Sequence, residues 1–140
     1  MSVVLDASAA LAWIFERTDS AQAAQANHLL ADLAKQPAWV PSLWYTEVAN
    51  ALLTAERRGV MKEAQVVDYL ARLSRLPIQA DDLTVACRQE AVIALGRQLQ
   101  LTAYDATYLE LALRNGARLA TFDAKLAAAM REVGGEVYFS

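Results

Sequence analysis

Apolar positions along the chain follow two rhythms. Short apolar runs, with Val3-Val4-Leu5 the clearest, read as strands. Between them lie longer stretches in which apolar residues recur every three or four positions, the mark of amphipathic helices. Val3-Val4-Leu5 does not alternate, as expected of a strand covered on both faces of a parallel sheet. Further strands are predicted at Trp39-Val40-Pro41, over 77–80, over 118–121 and over 136–139. Helices are predicted over 7–15, from Asp19 to about 34, and over 43–58, 62–73, 83–98, 103–114 and 124–133. Their boundaries have chemical signals. Asp19 with Gln22 resembles a capping box, and Ser42 suits an N-cap position. Asp81 and Asp82 are expected to open the fifth helix, while Gly59, Asn115-Gly116 and Gly134-Gly135 supply stops. Residues 16–19 break the apolar pattern. Strands alternating with helices imply an α/β fold, three-layered α/β/α, around a short, mainly parallel sheet of four to five strands with about seven helices.

Composition narrows this picture. The chain has 140 residues, is 56% hydrophobic and is dominated by Ala and Leu, which favours helix and fits a single domain over 1–140. The lone cysteine, Cys87, lies in an apolar helical pattern and is expected in the core. The lone histidine, His28, is expected on a helix surface. The N-terminus does not read as a signal peptide, no apolar run is long enough to span a bilayer, and a reducing cytoplasm suits the cysteine count. A net charge of −3 argues against nucleic-acid binding over the whole surface, but leaves nucleic acid open as a substrate.

Four acids then stand out. Asp6 and Asp123 each follow a predicted strand, Asp105 falls in the first turn of a helix, and Glu47 lies in a strongly apolar helix. Each has an ordinary reading. Asp6 and Asp123 can cap the helices after them, Thr102 with Asp105 can form a capping box, and Glu47 can be an exposed helix residue. Together they suggest something else, because in open α/β sheets ligands bind beyond the carboxyl ends of the strands. Several carboxylates gathered in a dry site cannot all ionise without a cation, and an all-oxygen set suits Mg²⁺ or Mn²⁺.

The chain resembles PIN-domain proteins, and among them the VapC-type toxin ribonucleases of type II toxin–antitoxin pairs. Four segments in order carry the resemblance: Val4-Leu5-Asp6-Ala7-Ser8-Ala9; Glu47-Val48-Ala49-Asn50-Ala51-Leu52; Leu101-Thr102-Ala103-Tyr104-Asp105-Ala106-Thr107-Tyr108; and Leu119-Ala120-Thr121-Phe122-Asp123. It implies an endoribonuclease dependent on Mg²⁺ (or Mn²⁺) that hydrolyses RNA phosphodiester bonds with metal-activated water. Asp6, Glu47, Asp105 and Asp123 would be its catalytic and metal-binding acids, with Ser8, Asn50 and Thr121 holding them. It implies a homodimer and a VapB-like antitoxin, with no membrane partner. Trp13, Phe15, Trp44 and Tyr45 are either core or interface residues, and Arg57, Arg58, Arg114 and Lys125 are candidate contacts to RNA phosphates.

Two rivals remain at this level. A non-catalytic PIN-like binding scaffold would share the fold without the chemistry. A phosphatase with an aspartyl nucleophile also places an Asp after its first strand. Ser8 stands where the haloacid dehalogenase-like class needs a second Asp, and no lysine is expected beside the later acids.

Overall fold

The computed structural model describes residues 2–15 and 19–139, apart from the side chain of Val85. The elements run β1 (Val3–Leu5), α1 (Ala7–Leu11), α2 (Ser20–Asp32), β2 (Ala38–Val40), α3 (Leu43–Arg57), α4 (Glu63–Leu73), β3 (Ile78–Ala80), α5 (Val85–Leu99), α6 (Ala103–Asn115), β4 (Arg118–Ala120) and α7 (Ala124–Glu132). Among the described residues, seven helices surround a four-stranded parallel sheet of order β3-β2-β1-β4, an α/β/α arrangement. The predicted break over 16–18 lies outside the described residues.

That strand order matters for function. The chain builds outward from β1 to β2 and β3, then returns to the opposite side of β1 with β4. The switch point therefore falls between the carboxyl ends of β1 and β4. Their register pairs Leu5 with Ala120, and the Asp6 N–H reaches the Ala120 carbonyl at 3.0 Å. The two strand ends stay aligned one step past the sheet, where Asp6 and Thr121 meet.

Val3, Val4 and Leu5 are fully buried, as a strand covered on both faces should be. The core around them includes Leu29, Leu52, Tyr108, Leu109, Leu119 and Leu126. Full burial of one such aliphatic side chain stabilises the fold by about 1.5–3 kcal/mol. Helix α6 packs on β1 and β4 with one face and on α5 with the other. Gly116 ends α6 at φ 60°, a left-handed conformation that glycine adopts without steric cost.

Several sequence expectations are corrected. Ser42 has helical dihedrals and makes no cap; the Pro41 carbonyl takes the first N–H, from Trp44, at 3.0 Å. Asp81 and Asp82 do not open α5, which starts on Thr84, whose hydroxyl caps the Cys87 N–H. Cys87 is exposed, because α5 is an outer helix with only a narrow covered stripe, centred on Val92. The segment predicted as a fifth strand makes a single parallel bridge, Val137 to Leu119. It then leaves the sheet, because Tyr138 donates its hydroxyl to Asp32 and Phe139 turns to stack on Phe122. Among the described residues no helix is long and apolar enough to cross a membrane.

Candidate active site

The first acid is fixed most firmly. Asp6 ends β1 with only 7% of its surface exposed. Its Oδ2 accepts two hydroxyl hydrogen bonds, from Ser8 Oγ at 2.6 Å and Thr121 Oγ1 at 2.7 Å. Each hydroxyl is in turn occupied by a backbone N–H: Phe122 donates to Ser8 and Asp123 donates to Thr121, both at 3.0 Å. A hydroxyl carries one proton, so filling its acceptor side from the turn directs that proton to Asp6. Ser8 and Thr121 thus hold Asp6. Asn50 does not join them; it is exposed and makes no hydrogen bond to these acids among the described residues.

Asp123 caps α7, accepting the Lys125 and Leu126 N–H groups. Asp105 lies in the first turn of α6, where the Thr102 hydroxyl caps its own N–H at 3.2 Å. The ordinary capping roles at these two positions are therefore present. They bring both residues to the switch point without excluding a further role.

Glu47 comes to the same edge from α3. Its Oε1 accepts the hydroxyl of fully buried Tyr108 at 2.5 Å. Tyr108 had no role assigned from sequence. The available signal was its place on α6 one turn after Asp105, with a polar tip on an apolar face.

Electrostatics ties the four together. Burial raises the Asp6 pKa, against the lowering effect of its hydroxyl partners, and the Asp123 charge raises it further. Burial also raises Glu47; Tyr108 opposes that, and the charges of Asp6 and Asp105 add to it. Asp105 is raised by burial, then by Asp123 and Asp6, with Lys125 opposing. The fields of acids from four separate segments meet in one place. Lys125 also corrects the expectation that no lysine stands by the later acids. Ser8 still stands where an aspartyl-nucleophile phosphatase needs its second Asp.

Among the described residues, no three His, Cys, Asp or Glu side chains form a group that could hold a metal ion. The acids share a field rather than a closed coordination cage. Their chemistry still fits one kind of ion. The donors are all oxygen, and they carry mutual repulsion that a hard cation relieves. Mg²⁺ is usually held by one or two carboxylates and keeps several waters, so it needs no preformed cage.

The other candidates separate clearly. Arg114 is unavailable to RNA, being locked to Asp81 and Glu110. Arg57 and Arg58 are exposed at the end of α3, and Lys125 is exposed beside the acids. Trp44 is core, and Trp13 and Phe15 pack partly buried against it, whereas Tyr45 is 48% exposed.

A short parallel sheet between helices, with acids gathered at its switch point, defines an α/β protein with a candidate site at that edge. The sequence pattern of the PIN domain matches residues 3–132, and the chain belongs to the PIN domain family. Its fold is similar to the crystal structure of PAE2754 from Pyrobaculum aerophilum, with a TM-score of 0.71 and 24% identity over 98% of this chain and 83% of that one. No curated protein matches the sequence.

Proposed function

We propose that this chain is a divalent-metal-dependent endoribonuclease and the toxin of a VapBC-type pair. In this reading it is a single-domain cytoplasmic protein, acts as a homodimer and is restrained by a VapB-like antitoxin. The observation that carries the catalytic part is Asp6, buried just past β1 at the β1/β4 switch point and held by the Ser8 and Thr121 hydroxyls, with the Asp123 N–H bonded to Thr121 in the same turn. Membership of a family whose domains are generally metal-dependent nucleases supports the same reading.

Asp6, Asp105 and Asp123, with Glu47, would hold a Mg²⁺ or Mn²⁺ ion. When bound, that ion activates water and offsets charge on a phosphodiester. The chain's own residues do the rest. Ser8 and Thr121 fix the plane of the Asp6 carboxylate. Tyr108 steadies Glu47, which we assign the task of accepting a proton from the attacking water. Lys125, the basic side chain whose field reaches Asp105, is the candidate to meet a phosphate.

The deciding assay incubates purified protein with RNA in Mg²⁺, in Mn²⁺ and in EDTA. Cleavage that disappears with chelator and in Asp6→Asn supports the proposal. RNA left intact under every condition would point to the binding scaffold, and an acyl-phosphate trapped on Asp6 would point to the phosphatase. Copurification with a small partner encoded beside the gene tests the toxin–antitoxin assignment separately.

A further inference from the structure

The two backbone N–H groups that orient the hydroxyls on Asp6 belong to Phe122 and Asp123, in the turn after β4. Besides its role as the cap of α7, that turn packs against a ring from later in the chain. Phe139 stacks on Phe122 with centroids 4.3 Å apart and planes within 10°. Phe139 is 7% exposed, and the segment carrying it is held at several points. The Glu136 carbonyl accepts the Leu119 N–H at 2.9 Å, and the Tyr138 N–H donates back to the Leu119 carbonyl at 2.8 Å. The Tyr138 hydroxyl donates to Asp32 on α2, and the Arg118 guanidinium lies 4.8 Å over the Tyr138 ring. A ring so anchored can transmit position to whatever it stacks on.

We propose that Phe139 is a positioning residue for the acid site: by stacking on Phe122 it helps fix the 121–123 turn, whose N–H groups aim the Ser8 and Thr121 hydroxyls at Asp6. Among the described residues, Phe139 makes its ring contacts with Phe122 and Tyr138 and no hydrogen bond to the four acids. It acts through Phe122, then Ser8 and Thr121, then Asp6. If the ring is lost, the turn keeps its place as the cap of α7 but loses the packing on Phe122, so the hydroxyl protons are less firmly directed and Asp6 is less firmly held. The catalytic consequence rests on the nuclease reading above; the structural linkage does not.

The test compares wild type with Phe139→Ala, Phe139→Leu and Phe139→Tyr. The first readout is the backbone amide NMR signals of Phe122 and Asp123, without metal and through a Mg²⁺ titration. The second is the kcat and KM of RNA cleavage. Phe139→Ala is expected to displace both amide signals. Residues supporting metal ligands are worth about 10–100-fold in affinity, so one step further out the Mg²⁺ dissociation constant should rise about three- to tenfold. The kcat should fall by a similar factor, with a smaller rise in KM from Lys125, whose N–H is held by Asp123 in the same turn. Phe139→Tyr keeps the ring and should restore wild-type behaviour. Phe139→Leu keeps most of the volume without the stack, and should show the defect even if the alanine variant does not fold. A variant that melts earlier but keeps wild-type amide signals and Mg²⁺ affinity would make Phe139 plain core filling and overturn the proposal. If wild type neither binds Mg²⁺ nor cuts RNA, the nuclease reading fails, and the amide comparison still decides the role of Phe139.

Discussion

Helix α6 carries two acids that meet opposite fates. Asp105, in its first turn, feels the charges of Asp123 and Asp6 and adds to the field at Glu47, and its pKa is raised by burial and by like charge. Glu110, later on the same helix, is only 5% exposed but accepts from Arg88 at 3.1 Å and from Arg114 at 3.0 Å. Arg114 also grips Asp81 through two hydrogen bonds, at 3.1 and 2.6 Å. For Asp81, burial pushes the pKa up, yet Arg114 outweighs it and the net shift is downward. Both clusters bury carboxylates, but only one has matched them with guanidinium groups. A paired cluster fastens elements together, here the start of the 81–84 turn, α5 and α6. Acids left facing one another cost stability, and that cost marks a site organised for something other than stability.

The sharpest way to break this contrast is to remove Arg114. Arg114→Ala leaves Asp81 and Glu110 partly unpaired, and breaking a buried ion pair costs about 3–5 kcal/mol. Arg88 still serves Glu110, so the expected loss is about 3 kcal/mol. Urea denaturation measures it. Specific activity per folded molecule should stay at the wild-type level, and an activity loss beyond the unfolded fraction would place this network in the reaction after all.

Asp6→Asn should give the mirror image. RNA cleavage should fall more than about a hundredfold, since even the partners of metal ligands are worth about 10–100-fold. The fold should persist, because Asn keeps an oxygen for the Ser8 and Thr121 hydroxyls. Circular dichroism beside a cleavage assay separates the two effects. Equal activity in wild type and variant would remove Asp6 from the chemistry.

The two clusters were not equally legible in the chain. Asp6, Asp105 and Asp123 could be found because each falls where an apolar rhythm changes, at a strand end or helix start. The seven helices and four strands were visible for the same reason. The Arg114 network was hidden because its members, Asp81, Arg88, Glu110 and Arg114, look like ordinary solvated helix charges until α5 packs on α6. Glu110 alone gave a hint, as a carboxylate between Leu109 and Leu111. Cys87 misled because periodicity cannot say how wide a face an outer helix covers. Phe139 was read as part of a strand because alternation cannot show that its ring leaves the sheet to find Phe122.

Tyr108 joins the acid site to the core, and its removal should have a smaller effect. Tyr108→Phe keeps the buried ring and deletes the hydroxyl on Glu47. A hydrogen bond of this kind is worth about 1 kcal/mol net when the freed group can reach water, as half-buried Glu47 can. Cleavage should drop about tenfold, as for other partners of site carboxylates. The effect should appear in kcat rather than KM, which steady-state kinetics resolves. A rise in KM alone would mean that Glu47 and Tyr108 serve RNA binding.

The gentlest probe is pH, because the two clusters should respond with opposite sign. Asp6, Glu47 and Asp105 have folded-state pKa values raised above their ordinary 3.8, 4.5 and 3.8. Their contribution to stability is complete below those values and is lost as pH climbs through the raised ones. Asp81 is lowered from 3.8, so its contribution is present above that value and disappears as pH falls through the lowered one. In EDTA at neutral pH, Asp105→Asn should therefore melt a few degrees above wild type, at about 3 °C per kcal/mol for a chain of this size. Asp81→Asn should melt below wild type at neutral pH, and the gap should close in acid. Mg²⁺ should raise the melting point of wild type and do little for Asp105→Asn, since an ion that binds only the folded form stabilises it. Melting curves from pH 3 to 8 test all three. If Asp105→Asn melts lower than wild type in EDTA, the acids at the switch point are already compensated, and the two ends of α6 do not differ in kind.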